Sequence, residues 1–155
     1  MWQTYANIWI HFIWTTKERV PLITPSVKYK LYKHIRDIAK KESIVIDILN
    51  GTEDHVHCLV SVGSTQTIAG IAKQPKGGSS YLVNKNGSTA DYFDWQDGYG
   101  AISVSPSNIP NVRQYIKNQE KHHRNTSLTE ELAQIKSQIE LSTSANISTN
   151  QTPTQ

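Results

Sequence analysis

Cys58 is the only cysteine in a chain of 155 residues, so no internal disulfide can form and the protein reads as one kept in a reducing compartment. No apolar run approaches the ~20 residues that a membrane helix needs. The opening stretch, MWQTYANIWIHFIWTTK, has neither a basic leader ahead of its apolar part nor a small-residue cleavage site, so it does not read as a secretory signal. These absences together predict a cytoplasmic protein with no membrane span. No internal repeat is visible. From Ser142 to Gln155 charges and aromatics vanish, leaving a stretch too polar to pack and expected to be disordered. The excess of positive charge is slight, +3 with a pI near 8.9, which permits a nucleic-acid partner without demanding one.

What remains is enough for one domain with a real core, expected over residues 1–125, followed by a linker or short terminal helix over 126–141 and the polar tail over 142–155. Between Tyr5 and Thr16, Ala6, Ile8, Ile10, Phe12 and Trp14 alternate with Tyr5, Asn7, Trp9, His11 and Ile13, a strand pattern rich in β-branched and aromatic residues. Thr24-Pro25-Ser26 opens a helix whose apolar positions are Val27, Leu31, Ile35 and Ile38. Residues 43–49 and 55–62 read as a hairpin, with Asn50-Gly51 as its turn signal. A helix follows from Thr67 to about Val83, and Gln74-Pro75-Lys76-Gly77-Gly78 is expected to break or kink it. Ala101–Ser105 is the clearest part of a further strand, and Pro106-Ser107-Asn108 opens a helix expected from Ile109 to Arg124. The order βαββαβ predicts an α+β sandwich of the ferredoxin-like, RRM-like type, with an antiparallel sheet and a last helix beyond it.

Within EDHVHCLV, His55 and His57 flank one valine at the start of a strand. Alternation puts both imidazoles on one face and Val56 and Cys58 on the other, where Cys58 reads as core. The pair could chelate a metal or simply hydrogen-bond, and spacing does not choose between them. Glu53 and Asp54 read as turn residues that could also orient an imidazole. In RQYIKNQEKHHR, Tyr115 and Gln119 stand four apart on one helical face. A glutamine oxygen suits Mg²⁺ or Mn²⁺ beside nitrogen ligands, and a tyrosine one turn away could be a nucleophile or an ordinary surface residue.

HVHCLV, QPKGGSSYLVN and WQDGYGAISVSPSNIPNVRQYIKNQEKHH, taken in order, resemble the single-tyrosine HUH transposases. These belong to small bacterial insertion sequences that move as single-stranded DNA, and to relatives associated with repetitive extragenic palindromes. The resemblance spans roughly residues 5 to 125. It implies that Tyr115 is the catalytic tyrosine and that His55, His57 and Gln119 hold a divalent cation, Mg²⁺ or Mn²⁺. It further implies cleavage and rejoining of single-stranded DNA at hairpin-marked ends through a 5′-phosphotyrosine. A homodimer with composite active sites is implied as well, the tyrosine helix of one subunit serving the histidines of the other.

Beside such a tyrosine, Arg113, Lys117, Lys121, His122, His123 and Arg124 read as phosphate contacts rather than a merely solvated face. Lys17, Arg19, Lys73 and Lys76 are further DNA-contact candidates. Gly77-Gly78 could admit a phosphate or pack closely, and one or two of Trp2, Trp9, Trp14 and Trp95 could stack on bases. Three alternatives stand beside the transposase. They are a domesticated relative that processes chromosomal palindromes, a non-catalytic single-strand binder on an RRM-like sheet, and a zinc hydrolase, which lacks a convincing third ligand.

Overall fold

The computed structural model describes residues 3–122, 126–134, 136 and 137. In chain order the elements are β1 (Ile8–Thr15), α1 (Pro25–Lys41), β2 (Val45–Gly51), β3 (His55–Val62), α2 (Ile68–Lys85), β4 (Gly100–Val104), α3 (Ile109–Lys117) and α4 (Gln119–His122). The strands form one antiparallel sheet in the order β2-β3-β1-β4. This is the expected ferredoxin-like, RRM-like α+β arrangement. Among the described residues no helix is long and apolar enough to cross a membrane.

The two central strands sort their side chains between two layers. Ile10, Phe12 and Trp14 of β1, with Val56, Cys58 and Val60 of β3, share a core with Val27, Leu31, Ile35 and Ala39 of α1 and with Ile71, Ala72 and Val83 of α2. On the other face Leu59, Trp9, Ile48 and Val104 meet Ile109, Val112, Tyr115 and Ile116 of α3. Each fully buried side chain of this size is worth about 1.5–3 kcal/mol, so both layers contribute. Because β3 is covered on both faces, its sequence reads as a nearly unbroken apolar run with two histidines set into it.

Two local expectations change. Asn50-Gly51 is not the hairpin turn: both residues lie in β2, Gly51 pairs with Val56, and the chain reverses over Thr52, Glu53 and Asp54. Gly51 is required by close approach, since any Cβ there would collide with the His55 carbonyl. Pro75 does not break α2, which runs through it with the pyrrolidine ring buried; burial of the ring offsets the missing amide. At Gly77-Gly78, where the sequence leaves packing and phosphate approach both open, Gly78 packs closely: a Cβ would sit 2.5 Å from Ile38 Cδ1 of α1.

The expected helix from Ile109 to Arg124 is also interrupted. α3 stops at Lys117, and Asn118 leaves helical geometry at φ −97°, ψ 17° before α4 begins. The Asn50 side-chain amide donates to the carbonyls of Ile116 at 3.0 Å and Lys117 at 3.1 Å, which are the acceptors that the next helical turn would need.

The chain divides into compact units at residues 1–119 and 120–155. In the second, residues 128–134 are helical. Ser127 and Glu130 cap this helix reciprocally: the Ser127 hydroxyl accepts from the Glu130 amide at 3.3 Å, and the Glu130 carboxylate accepts from the Ser127 amide at 3.1 Å. His123, Arg124, Trp2 and the tail 142–155 lie outside the described residues.

Candidate active site

β3 presents His55 and His57 on the face that receives α3, with ring centroids 5.1 Å apart and both side chains buried. Burying two imidazoles without partners would cost several kcal/mol, so their ring nitrogens have to be accounted for. His55 Nδ1 donates to Asp54 Oδ1 at 2.6 Å, with the Thr52 hydroxyl 2.9 Å away. A carboxylate can only accept, so this contact puts a proton on Nδ1 and leaves Nε2 as the nitrogen that can offer a lone pair. Asp54 is therefore both a turn residue and an orienter. Burial opposes its charge, but His55, Arg19 and Thr52 outweigh that and bring its pKa down to about 2.

His57 Nδ1 lies 2.8 Å from His11 Nε2. His11 comes from β1, where it pairs with Leu59 and sits diagonally to His57. Burial lowers its pKa to about 4, so at neutral pH it is an uncharged imidazole. In the sequence His11 stands out only as a strand position. Its signal was available in the alternation, which puts residues 9, 11 and 13 on one face.

α3 delivers Tyr115. Its ring stands edge-on to His57, with centroids 5.7 Å apart at 85°, and 6.1 Å from His11 at 72°. Tyrosine and histidines thus meet within a single chain. The register explains the placement, since Asn50, which holds the end of α3, pairs directly with His57 across β2 and β3.

Gln119 is buried, and its amide nitrogen makes a long contact of 3.5 Å to the Tyr115 carbonyl. Its side-chain oxygen has no hydrogen-bond partner among the described residues. Such an acceptor costs about 1–3 kcal/mol, which a cation would relieve. By donor type, a neutral amide oxygen and imidazole nitrogens are groups that a divalent cation of the Mg²⁺/Mn²⁺ kind can take.

The expected DNA-contact residues divide by what already holds them. Arg113 makes a two-pronged ion pair with Asp47, at 2.8 and 2.9 Å. Arg19 bonds Asp54 at 3.3 Å, and Lys17 reaches Asp94 at 3.4 Å. Lys76 donates to the carbonyls of Gln96 at 2.8 Å and Gly98 at 2.6 Å, and burial lowers its pKa. Lys73, Lys117 and Lys121 are exposed, and His122 is half-buried. Trp14 and Trp95 are core residues, which leaves Trp9 as the half-buried tryptophan.

The family model described as "Transposase IS200 like" matches residues 4–119. The ISDra2 transposase TnpA of Deinococcus radiodurans is 28% identical over 115 residues, covering 70% of this chain and 81% of that protein. A crystal structure of a candidate transposase from Deinococcus radiodurans R1 superposes with a TM-score of 0.58 at 26% identity, over 77% of this chain and 96% of that one. A REP-associated tyrosine transposase bound to a REP hairpin shares the fold, with a TM-score of 0.58 at 14% identity over 79% and 73% of the two chains.

Proposed function

Because the chain belongs to the IS200-like family of single-tyrosine transposases, we propose that it cleaves and rejoins single-stranded DNA at hairpin-marked ends, in the cytoplasm and as a homodimer. The Tyr115 oxygen attacks a phosphodiester, forming the tyrosyl O–P bond as the bond to the 3′-oxygen breaks. That oxygen leaves with a proton as a free 3′-hydroxyl. A 3′-hydroxyl from another end then attacks the same phosphorus, the tyrosyl bond breaks, and the phenol regains its proton. No water and no external energy source is consumed, because each ester replaces another.

His55, His57 and Gln119 would hold Mg²⁺ or Mn²⁺, which would neutralise charge developing on the scissile phosphate. Asp54 orients His55, and α3 brings the Tyr115 ring to the histidine face. Lys73, Lys117 and Lys121 are exposed and would meet phosphate directly. Arg113, Arg19 and Lys17 would exchange an aspartate for phosphate, and Lys76 would give up two carbonyls. In the sequence, His122, His123 and Arg124 continue the basic stretch that follows Tyr115.

The observation that carries this reading is Tyr115 standing edge-on to His57, 5.7 Å away. It supports taking Tyr115 as the nucleophile that serves the histidine face of its own chain. A hairpin-bearing single-stranded oligonucleotide incubated with the protein and Mg²⁺ or Mn²⁺ tests it on a denaturing gel. The expected result is a metal-dependent nick and a covalent adduct that mass spectrometry assigns to the Tyr115 peptide. Binding without any adduct would favour the non-catalytic single-strand binder.

A further inference from the structure

We propose that His11 is a positioning residue that accepts the Nδ1 proton of His57 and so fixes His57 in the tautomer that can ligate a metal through Nε2. The inference rests on the metal-site reading above and deepens it.

The contact of 2.8 Å between His11 Nε2 and His57 Nδ1 joins two buried imidazoles. When both rings are neutral, a nitrogen-to-nitrogen contact of this kind holds one proton, so one ring donates and the other accepts. If His11 donates, His57 must carry its own proton on Nε2, and neither of its nitrogens can face a cation. If His57 donates, its Nε2 holds a lone pair on the α3 side of the sheet. The direction of this single hydrogen bond therefore decides whether the second histidine can be a ligand at all.

One feature favours donation by His57, and a second accounts for the contact itself. First, Asp54 imposes the same arrangement on His55 from its own Nδ1, so both histidines then present matching nitrogens from one strand face. Second, His11 lies on β1 on the same face as Trp9, which packs against α3, and its ring is buried. A polar ring at such a position is costly unless its nitrogen is satisfied, and His57 is the partner that geometry supplies. His55 is thus oriented by a carboxylate and His57 by a neutral imidazole. Such outer partners typically change metal affinity by 10–100-fold.

The test compares the full-length wild type with His11→Gln, whose amide oxygen can still accept near the position of Nε2, and with His11→Leu, which cannot. Mn²⁺ binding is followed by electron paramagnetic resonance, with circular dichroism to verify folding. His11→Leu is expected to bind Mn²⁺ about 10–100-fold more weakly, and His11→Gln within a few-fold of wild type. Wild-type affinity in His11→Leu, or equal loss in both folded variants, overturns the proposal.

A second measurement needs neither metal nor mutation. Nitrogen-15 NMR of the metal-free protein should show His57 protonated at Nδ1, and protonation at Nε2 overturns the proposal. If the wild type binds no Mn²⁺, the metal reading fails by itself and the tautomer alone decides the role of His11.

Discussion

Asn50 holds the carbonyl of Ile116 at 3.0 Å while lying directly opposite His57 in the sheet. One side chain on β2 thereby ties the end of the tyrosine helix to the strand that carries the histidines. Asn50→Ala should lose about 1–3 kcal/mol, because two carbonyls forfeit their donor. Asn50→Asp should be worse, since a carboxylate cannot donate to either. Urea denaturation gives the first effect. In the cleavage assay Asn50→Ala should lose rate while retaining DNA affinity.

Removing a single oxygen separates binding from chemistry. Tyr115→Phe keeps the ring beside His57, so DNA affinity in a gel-shift assay should stay close to wild type. The nick and the covalent adduct should both disappear. Adduct formation in this variant would mean that another tyrosine is the nucleophile.

His55→Ala or His57→Ala should abolish Mg²⁺- or Mn²⁺-dependent cleavage, whereas Gln119→Ala should reduce it less, because a neutral oxygen contributes less than an imidazole. Rates titrated against Mn²⁺ rank the three. Wild-type cleavage by the double alanine variant would remove the histidines from the site.

Stability should respond to acid through His11. Burial lowers its pKa from an ordinary 6.5 to about 4. Between those values the unfolded chain takes up a proton that the folded one refuses, so folding weakens as pH falls from about 6.5 to 4. The loss from this group is on the order of 3 kcal/mol. Urea midpoints measured across that window should fall with pH, and less steeply for His11→Gln.

Cys58 should be chemically silent. Its thiol is fully buried and burial pushes its pKa up to about 12, so iodoacetamide at pH 8 should leave the native protein unmodified. Full alkylation is expected once denaturant is added.

The alternation of residues 5–14 and the His55/His57 spacing are local signals, and the fold honours them because each strand is buried on both faces. Tyr115 was equally legible from its motif. The features that escaped depend on partners distant in sequence. Asn50-Gly51 has the composition of a turn, yet Asn50 is drawn into β2 by its pairing with His57 and by the carbonyls of α3. Asn118 reads as mid-helix, and nothing nearby in the chain announces the competing amide 68 positions earlier. Pro75 looks like a breaker until the apolar surroundings of its ring are known. His11 is one more polar residue on an amphipathic strand until β3 comes to lie beside it.

The interleaving along β3 bears on how this protein can diverge. His55, His57 and Leu59 belong to one face, and Val56, Cys58 and Val60 to the other. Substitutions can accumulate on either face without consulting its neighbour. A change of length cannot, because inserting or deleting one residue between Asp54 and Cys58 would turn the imidazoles into the apolar layer and the valines toward the tyrosine. Catalytic apparatus and hydrophobic interior would be lost in one event, so lineages descending from this chain can vary in spelling along β3 but not in count.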